Sequence, residues 1–170
     1  MALQSRSIWL GAFAALTLAA CGGGGDAPTE PDAGSEVLAN GLTVKAQIEA
    51  RQEGFKAVGG EFKTINDQLR SGSPDLAAIQ AAAAKLPEVI DGAGEWFPEG
   101  TGPESGVETE ALPIIWEEPE DFEAKTSDFV LAVQALDAAA QTGELPAIQA
   151  AVQSTGGTCK ACHDKYRLDD

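Results

Sequence analysis

Four stretches of the chain carry apolar residues at alternating three- and four-residue intervals, and two of the three links between them are too short for anything but antiparallel neighbours. The first runs from Val37 to Arg70 with Ile48, Phe55, Val58, Phe62, Ile65 and Leu69 on one stripe, and Arg51 fills the only gap in the rhythm. Ser71-Gly72-Ser73 breaks it. Ser73 as N-cap, Pro74 in the first turn and Asp75 behind it then open a second helix, striped by Leu76, Ile79, Ala83, Leu86 and Ile90 and kinked near its end by Pro87. A third starts at Glu118-Pro119-Glu120, carries Phe122, Thr126, Phe129, Val133, Leu136 and Ala140, and stops at Gly143. The fourth follows from Glu144-Leu145-Pro146, and its inner stripe of Leu145, Ile148, Val152 and Thr155 continues into Cys159 and Cys162. The expected fold is all-α, an antiparallel up-down four-helix bundle. Composition agrees, because 30 alanines against sparse Val, Ile and Thr favour helix over a sandwich or barrel.

The N-terminus is expected to stand apart from the bundle. Residues 1–20 hold one Arg (Arg6), no acid and an apolar run from Ile8 to Ala20, the layout of a secretory signal peptide and too short a run for a retained membrane span. Leu18-Ala19-Ala20-Cys21 resembles the lipobox of bacterial lipoproteins, which implies lipidation of Cys21 and a mature chain that starts there. The alternative is a plain signal peptide cut near Ala20, with Cys21 left as a free thiol. Residues 21–36, small and polar after four glycines, read as a flexible tether, which leaves 37–170 as the folded domain. The expected location is the periplasm, held to the bacterial envelope by the lipid alone.

Charge narrows the partners. Eleven basic residues against 27 acidic ones give a net charge of -16, which repels nucleic-acid phosphates and anionic lipid heads, so nucleic-acid binding is excluded. Between Glu88 and Glu123 there are twelve acids and no Lys or Arg. That side of the molecule is either a solvated surface or a docking face for a redox partner with a basic face. The same region contains the long second-to-third connection, about Gly92 to Glu117, where Trp96, Phe97 and Trp116 call for something to pack against.

Cys159-Lys160-Ala161-Cys162-His163 has the spacing of c-type haem attachment. Residues three apart on a helix face the same way, so both thiols can reach the two vinyl groups on one edge of a single haem c, and His163 can serve as the axial iron ligand. A zinc site, a thioredoxin-like redox pair and a plain disulfide are the competing uses of such a pair. Zinc would need four ligands, the redox pair a βαβ context, and the disulfide a strained span within one helix. The sixth iron position has no conventional candidate, because Met1 leaves with the leader and His163 is the only His. Lys45, Lys56, Lys63, Lys85, Lys125, Lys160 and Lys165 could ligate only after burial had stripped a proton, with Lys56 and Lys63 placed best beside the first stripe. The favoured expectation is a five-coordinate iron, open on one side to nitric oxide and carbon monoxide. The alternative is a dedicated electron carrier with a sixth ligand such as Lys.

Two stretches resemble the cytochrome c′ family: Arg51-Gln52-Glu53-Gly54-Phe55-Lys56 with Gly59-Gly60-Glu61-Phe62, and Thr158-Cys159-Lys160-Ala161-Cys162-His163-Asp164-Lys165-Tyr166-Arg167. Trp96-Phe97-Pro98-Glu99-Gly100-Thr101-Gly102 with Ile115-Trp116 is similar to the family's variable connection. The resemblance spans about residues 40–170 and implies a four-helix bundle with covalent haem near the C-terminus. It places Phe55 over the open haem face, Arg51 beside the propionates and Arg167 beside the proximal His163. It also implies homodimers through the first two helices. Two departures stand out: an aromatic Phe55 where the family often has Leu, and the lipoprotein signal. By the residues alone, Phe55 could be ordinary core and Arg51 a surface side chain with a buried stem. Gly156-Gly157 lets the last helix approach the haem closely or breaks it, and Tyr166 reads as structural. No enzyme activity is expected beyond weak peroxidase-like turnover, since a distal His and Arg pair is missing.

Overall fold

The computed structural model describes residues 32–168, so the leader run and Cys21 lie outside the described residues. Four long helices and one short one follow in order: α1 Val44–Arg70, α2 Leu76–Val89, α3 Ile114–Glu117, α4 Pro119–Thr142 and α5 Leu145–Tyr166. The starts of α4 and α5 fall where the two Pro-containing signals put them. Gly143 turns the chain between them at φ +75°, a conformation that costs glycine nothing.

Two helix starts differ from the sequence expectation. α1 begins at Val44, not Val37, because Thr43 caps it by accepting a hydrogen bond from the Ala46 amide, and Val37 instead forms an antiparallel bridge with Thr43. α2 is capped by Asp75, whose carboxylate accepts from the Ala77 and Ala78 amides, so Ser73 and Pro74 stay in the turn. A carboxylate one residue before the helix meets two free amides, whereas Ser73 is too far back to reach them. The tether also ends earlier than residue 36. The Lys45 amide donates to the Gly34 carbonyl at 3.0 Å and the Val44 amide to that of Glu36 at 2.8 Å, which fixes residues 34–36 to the start of α1.

α1 packs on α2, α2 on α4 and α4 on α5, the up-down order of a four-helix bundle. One core joins Val58 and Ile65 of α1, Ile79 and Leu86 of α2, Val133 and Leu136 of α4, and Ile148 and Val152 of α5. α1 and α5 touch far less. Where they meet, a side chain on Gly156 would lie 3.8 Å from the Phe62 ring tip. α5 runs unbroken through Gly156-Gly157, so no break occurs there. Because the two helices are antiparallel, seven residues forward from Gly156 and seven back from Phe62 bring His163 and Phe55 to the same level.

The connection between α2 and α4 is not a bare loop. It holds 3-10 turns at Ala93–Glu95 and Pro103–Ser105 before α3. It also staples the end of α5, with the Leu112 amide donating to the Tyr166 carbonyl at 2.9 Å and the Leu168 amide to the Glu110 carbonyl at 2.8 Å.

Candidate functional site

The last turns of α5 carry the expected cysteine pair. Cys159 and Cys162 are unpaired thiols and half-buried rather than fully on the inner face, with Cys159 resting against the core. Burial pushes both thiols above the ordinary range, and for Cys162 the neighbouring Cys159 adds to it, so both stay protonated at neutral pH. Among the described residues no group of three His, Cys, Asp or Glu side chains is arranged to hold a metal ion.

His163 lies at the surface of the same turn. Partial desolvation first, and then the Arg167 guanidinium, hold its imidazole below the usual value, which favours the neutral ring that a metal-ligating histidine needs. The turn itself is pinned. Tyr166, 2% exposed, donates its hydroxyl to Asp121 Oδ2 at 2.5 Å, and Lys165 Nζ donates to the same oxygen at 2.8 Å and to Glu118 at 2.5 Å. The hydrogen bonds from Lys165 and then Tyr166 pull the Asp121 carboxyl below its ordinary range. Arg167 Nε donates to Glu110 Oε2 at 2.6 Å, so Arg167 sits beside His163 but is held by a carboxylate of the connection.

Across the α1–α5 gap stands an aromatic cluster. Phe55 is 41% exposed, edge-on to Trp96 at 5.0 Å and 84°, and 6.1 Å from Phe97. The rings continue from Phe97 to Phe122 at 4.9 Å and from Phe122 to Tyr166 at 5.0 Å, so one line of contacts runs from the level of Phe55 to the pinned end of α5. Gly54 makes the first contact possible, since a Cβ there would lie 2.6 Å from the Trp96 ring.

Arg51 is 3% exposed, which disposes of a surface role. Its Nη1 donates to Thr101 Oγ1 at 2.8 Å and its Nη2 to the Thr101 carbonyl and to Thr109 Oγ1, both at 2.7 Å, while Phe97 lies 4.7 Å from the guanidinium carbon. These partners are neutral, and among the described residues no carboxylate is ion-paired with Arg51. Burial lowers the guanidinium to about 10, against a smaller opposing pull from Glu104. Thr101 and Thr109 were not singled out by the sequence; the only local signal was Thr101 between Gly100 and Gly102. Trp116, which donates to the Phe97 carbonyl at 3.1 Å, locks the same strip of connection.

The two lysines placed best by the sequence are not set as ligands. Lys56 is 76% exposed in its side chain and paired with Glu53 at 3.3 Å, and Lys63, 73% exposed, pairs with Asp67. Neither has the burial that a neutral amine ligand requires.

Residues 46–167 match the family model for cytochrome c′. The chain belongs to the cytochrome c′ family. It is 35% identical over 127 residues to cytochrome c′ from Rubrivivax gelatinosus, covering 71% of this chain and 92% of the relative. A solved cytochrome c′ described as having an unusual ligand-controlled dimer dissociation superimposes with a TM-score of 0.70 at 32% identity, covering 76% of this chain and 99% of its own. A nitric oxide complex of a leucine-to-alanine variant of cytochrome c prime from Alcaligenes xylosoxidans gives 0.68 at 28% identity, covering 75% of this chain and 97% of its own.

Cytochromes c′ bind haem c, and the residues here fit that group. Cys159 and Cys162, thiols one helical turn apart, would hold the group through thioether bonds. A neutral imidazole adjoins them. A buried guanidinium whose hydrogen-bond partners are all neutral oxygens, with Glu104 acting on it only from a distance, suits a carboxylate such as a propionate, because a buried charge without a paired counter-charge is costly. An apolar ring lies at the level of the histidine on the facing helix.

Proposed function

We propose that this cytochrome c′ is a diatomic gas-binding haem protein of the bacterial envelope, exported by residues 1–20 and held to the membrane through lipidated Cys21. One haem c would be held by Cys159 and Cys162, with His163 on its iron and Arg51 on its propionates. Bound, the group supplies an iron that can take a small ligand or an electron. The observation that carries the reading is the level match of Phe55 with His163 across the α1–α5 gap, in a wall of Phe55, Trp96 and Phe97 that offers no ligating atom.

The chain's own groups divide the work. Cys159 and Cys162 prevent loss of the group outside the cell. Arg167 and the Asp121 latch hold the turn that bears His163. Phe55 shields the facing side from water and offers no hydrogen bond, which disfavours polar bound oxygen relative to nitric oxide and carbon monoxide. The proposed role is binding rather than turnover.

The second reading, electron transfer, is favoured by the acidic connection. Glu95, Glu99 and Glu108 are exposed there and would suit a redox partner with a basic face. Association through α1 and α2 into a homodimer belongs to the same proposal.

Titrating the purified ferrous protein with nitric oxide and with carbon monoxide, followed by visible absorption, tests it. Stoichiometric uptake of both, with little retention of oxygen, is the expected result. Absence of uptake would leave the electron-carrier reading.

A further inference from the structure

The connection between α2 and α4 encloses, together with one side of α4, a cleft of about 800 Å³. Buried Ile115 and half-buried Phe97, Trp116 and Phe122 line it, and Leu131 stands beside them with 63% of its surface in solvent. Glu95, Glu99 and Glu123, all exposed, border the same cleft. Among the described residues none of these three carboxylates is ion-paired. Cys159, Cys162, His163, Arg51 and Phe55 do not border it, so the cleft is a second opening and not the haem site.

Two of its rings belong to both places. Phe97 also meets the Phe55 ring at 6.1 Å and the Arg51 guanidinium carbon at 4.7 Å, and Phe122 meets the Tyr166 ring at 5.0 Å, three residues past His163. One layer of rings therefore separates an occupant of the cleft from the residues that fit the haem. We propose that the cleft is the docking site of a one-electron redox protein, which inserts an apolar side chain flanked by Lys or Arg. This rests on the electron-transfer reading, and it names the surface and the chemistry of the partner.

Charge complementarity selects that occupant. The segment from Glu88 to Glu123 holds twelve acids and no Lys or Arg, so the three carboxylates at the cleft are surrounded by charge of their own sign and draw cations from a distance. The aromatic and aliphatic lining asks for the opposite, an apolar group that leaves water. An apolar centre within a charged margin is the layout of a protein interface, and a bare metal ion or a fully polar cation would leave the rings unused. A second copy of this chain is a poor occupant, because it carries the same acids at the same place and a net charge of -16. In the docked pair one electron passes between the reduced and the oxidised centre, with no bond made or broken and no proton required.

The test follows oxidation of the ferrous full-length holoprotein by tris(phenanthroline)cobalt(III), a trication with an apolar exterior, and by the anion ferricyanide. Stopped-flow rates of wild type are compared with Glu95→Gln, Glu99→Gln and Glu123→Gln combined, with Leu131→Ser, and with Glu36→Gln, Glu49→Gln and Glu144→Gln combined, which removes as many exposed charges elsewhere. The cleft triple should react with the cobalt complex about tenfold more slowly than wild type at about 10 mM ionic strength, and less than about twofold more slowly at about 0.5 M, where screening is short. It should react no more slowly with ferricyanide. Leu131→Ser should slow the cobalt reaction about threefold at both salt concentrations, since apolar contact is not screened. Tris(phenanthroline)chromium(III), an inert paramagnetic trication, should broaden the amide signals of Glu99, Glu123 and Leu131 in the ferrous carbon monoxide complex before those of Glu49 and Glu144. A cleft triple no slower than the control triple, or broadening centred elsewhere, would overturn the docking site and leave electron transfer standing. Failure of both oxidants to oxidise wild type would instead remove the electron-transfer reading. A fall in molar mass in solution for Leu131→Ser would mean that a second copy fills the cleft, which also overturns the proposal.

Discussion

Replacing Phe55 with Ala is the sharpest perturbation of the site, because the ring's surroundings set the size of the effect. Phe55 is held by two ring contacts, edge-on to Trp96 at 5.0 Å and tilted against Phe97 at 6.1 Å. Each such pair contributes about 0.5–1.5 kcal/mol beyond burial, so swinging the ring aside costs about 1–3 kcal/mol. If that swing gates entry to the iron, its removal should speed carbon monoxide association by about 5- to 140-fold, at one power of ten per 1.4 kcal/mol. The same two contacts are lost from the folded state, so the bundle itself should lose about 1–3 kcal/mol of stability. Flash photolysis of the ferrous carbon monoxide complex in wild type and Phe55→Ala gives both rates. Equal rates would refute the gate and leave Phe55 as wall.

Other expectations concern the parts that support the site. The double substitution Cys159→Ser with Cys162→Ser should abolish the covalent haem stain in denaturing gels, and a stained band of unchanged intensity would contradict the attachment. Arg51→Ala removes three hydrogen bonds to Thr101 and Thr109; it should lower stability by about 2–4 kcal/mol in urea titration, and a change under 0.5 kcal/mol would refute its bracing role. Gly54→Ala drives a methyl into the Trp96 ring and should destabilise by about 1–2 kcal/mol despite better helix propensity. Gly59→Ala, with open space around it, should stabilise by up to about 1 kcal/mol; equal melting temperatures in the two variants would count against the Trp96 contact. Asp121 titrates below its unfolded value, so its contribution is present above about pH 4 and is lost as pH falls through the lower folded value. Asp121→Asn should therefore flatten the acid limb of stability against pH, and an unchanged slope would show that the Tyr166 and Lys165 hydrogen bonds add nothing.

Much of the bundle was legible because its signals are local. The three-four stripes of α4 and α5, their proline starts and Gly143 are all read within a few residues, and so is the cysteine pair. α1 was read seven residues too long, since Val37 and Leu38 look helical until Thr43 is known to cap and the chain before it to double back. The turns at Ala93–Glu95 and Pro103–Ser105 and the four-residue α3 were missed because three or four residues carry no period. Arg51 was found as a misfit in a stripe, yet its partners Thr101 and Thr109 lie 50 and 58 residues away, where only the folded chain brings them together. Trp96 left a trace in the sequence as Gly54, a glycine inside a helix whose reason is the ring lying on it. The docking of residues 34–36 on the start of α1 left none, because small polar residues read alike whether docked or free.

The central claim is an iron held by His163 with its other side open under Phe55. Resonance Raman and absorption spectra of the purified, unliganded ferrous protein test it most directly. A five-coordinate high-spin iron, converted to new ligand-bound bands on adding nitric oxide, is the predicted result. A six-coordinate low-spin spectrum before any ligand is added would contradict it, and would mean that a side chain such as lysine leaves its surface ion pair to close the site.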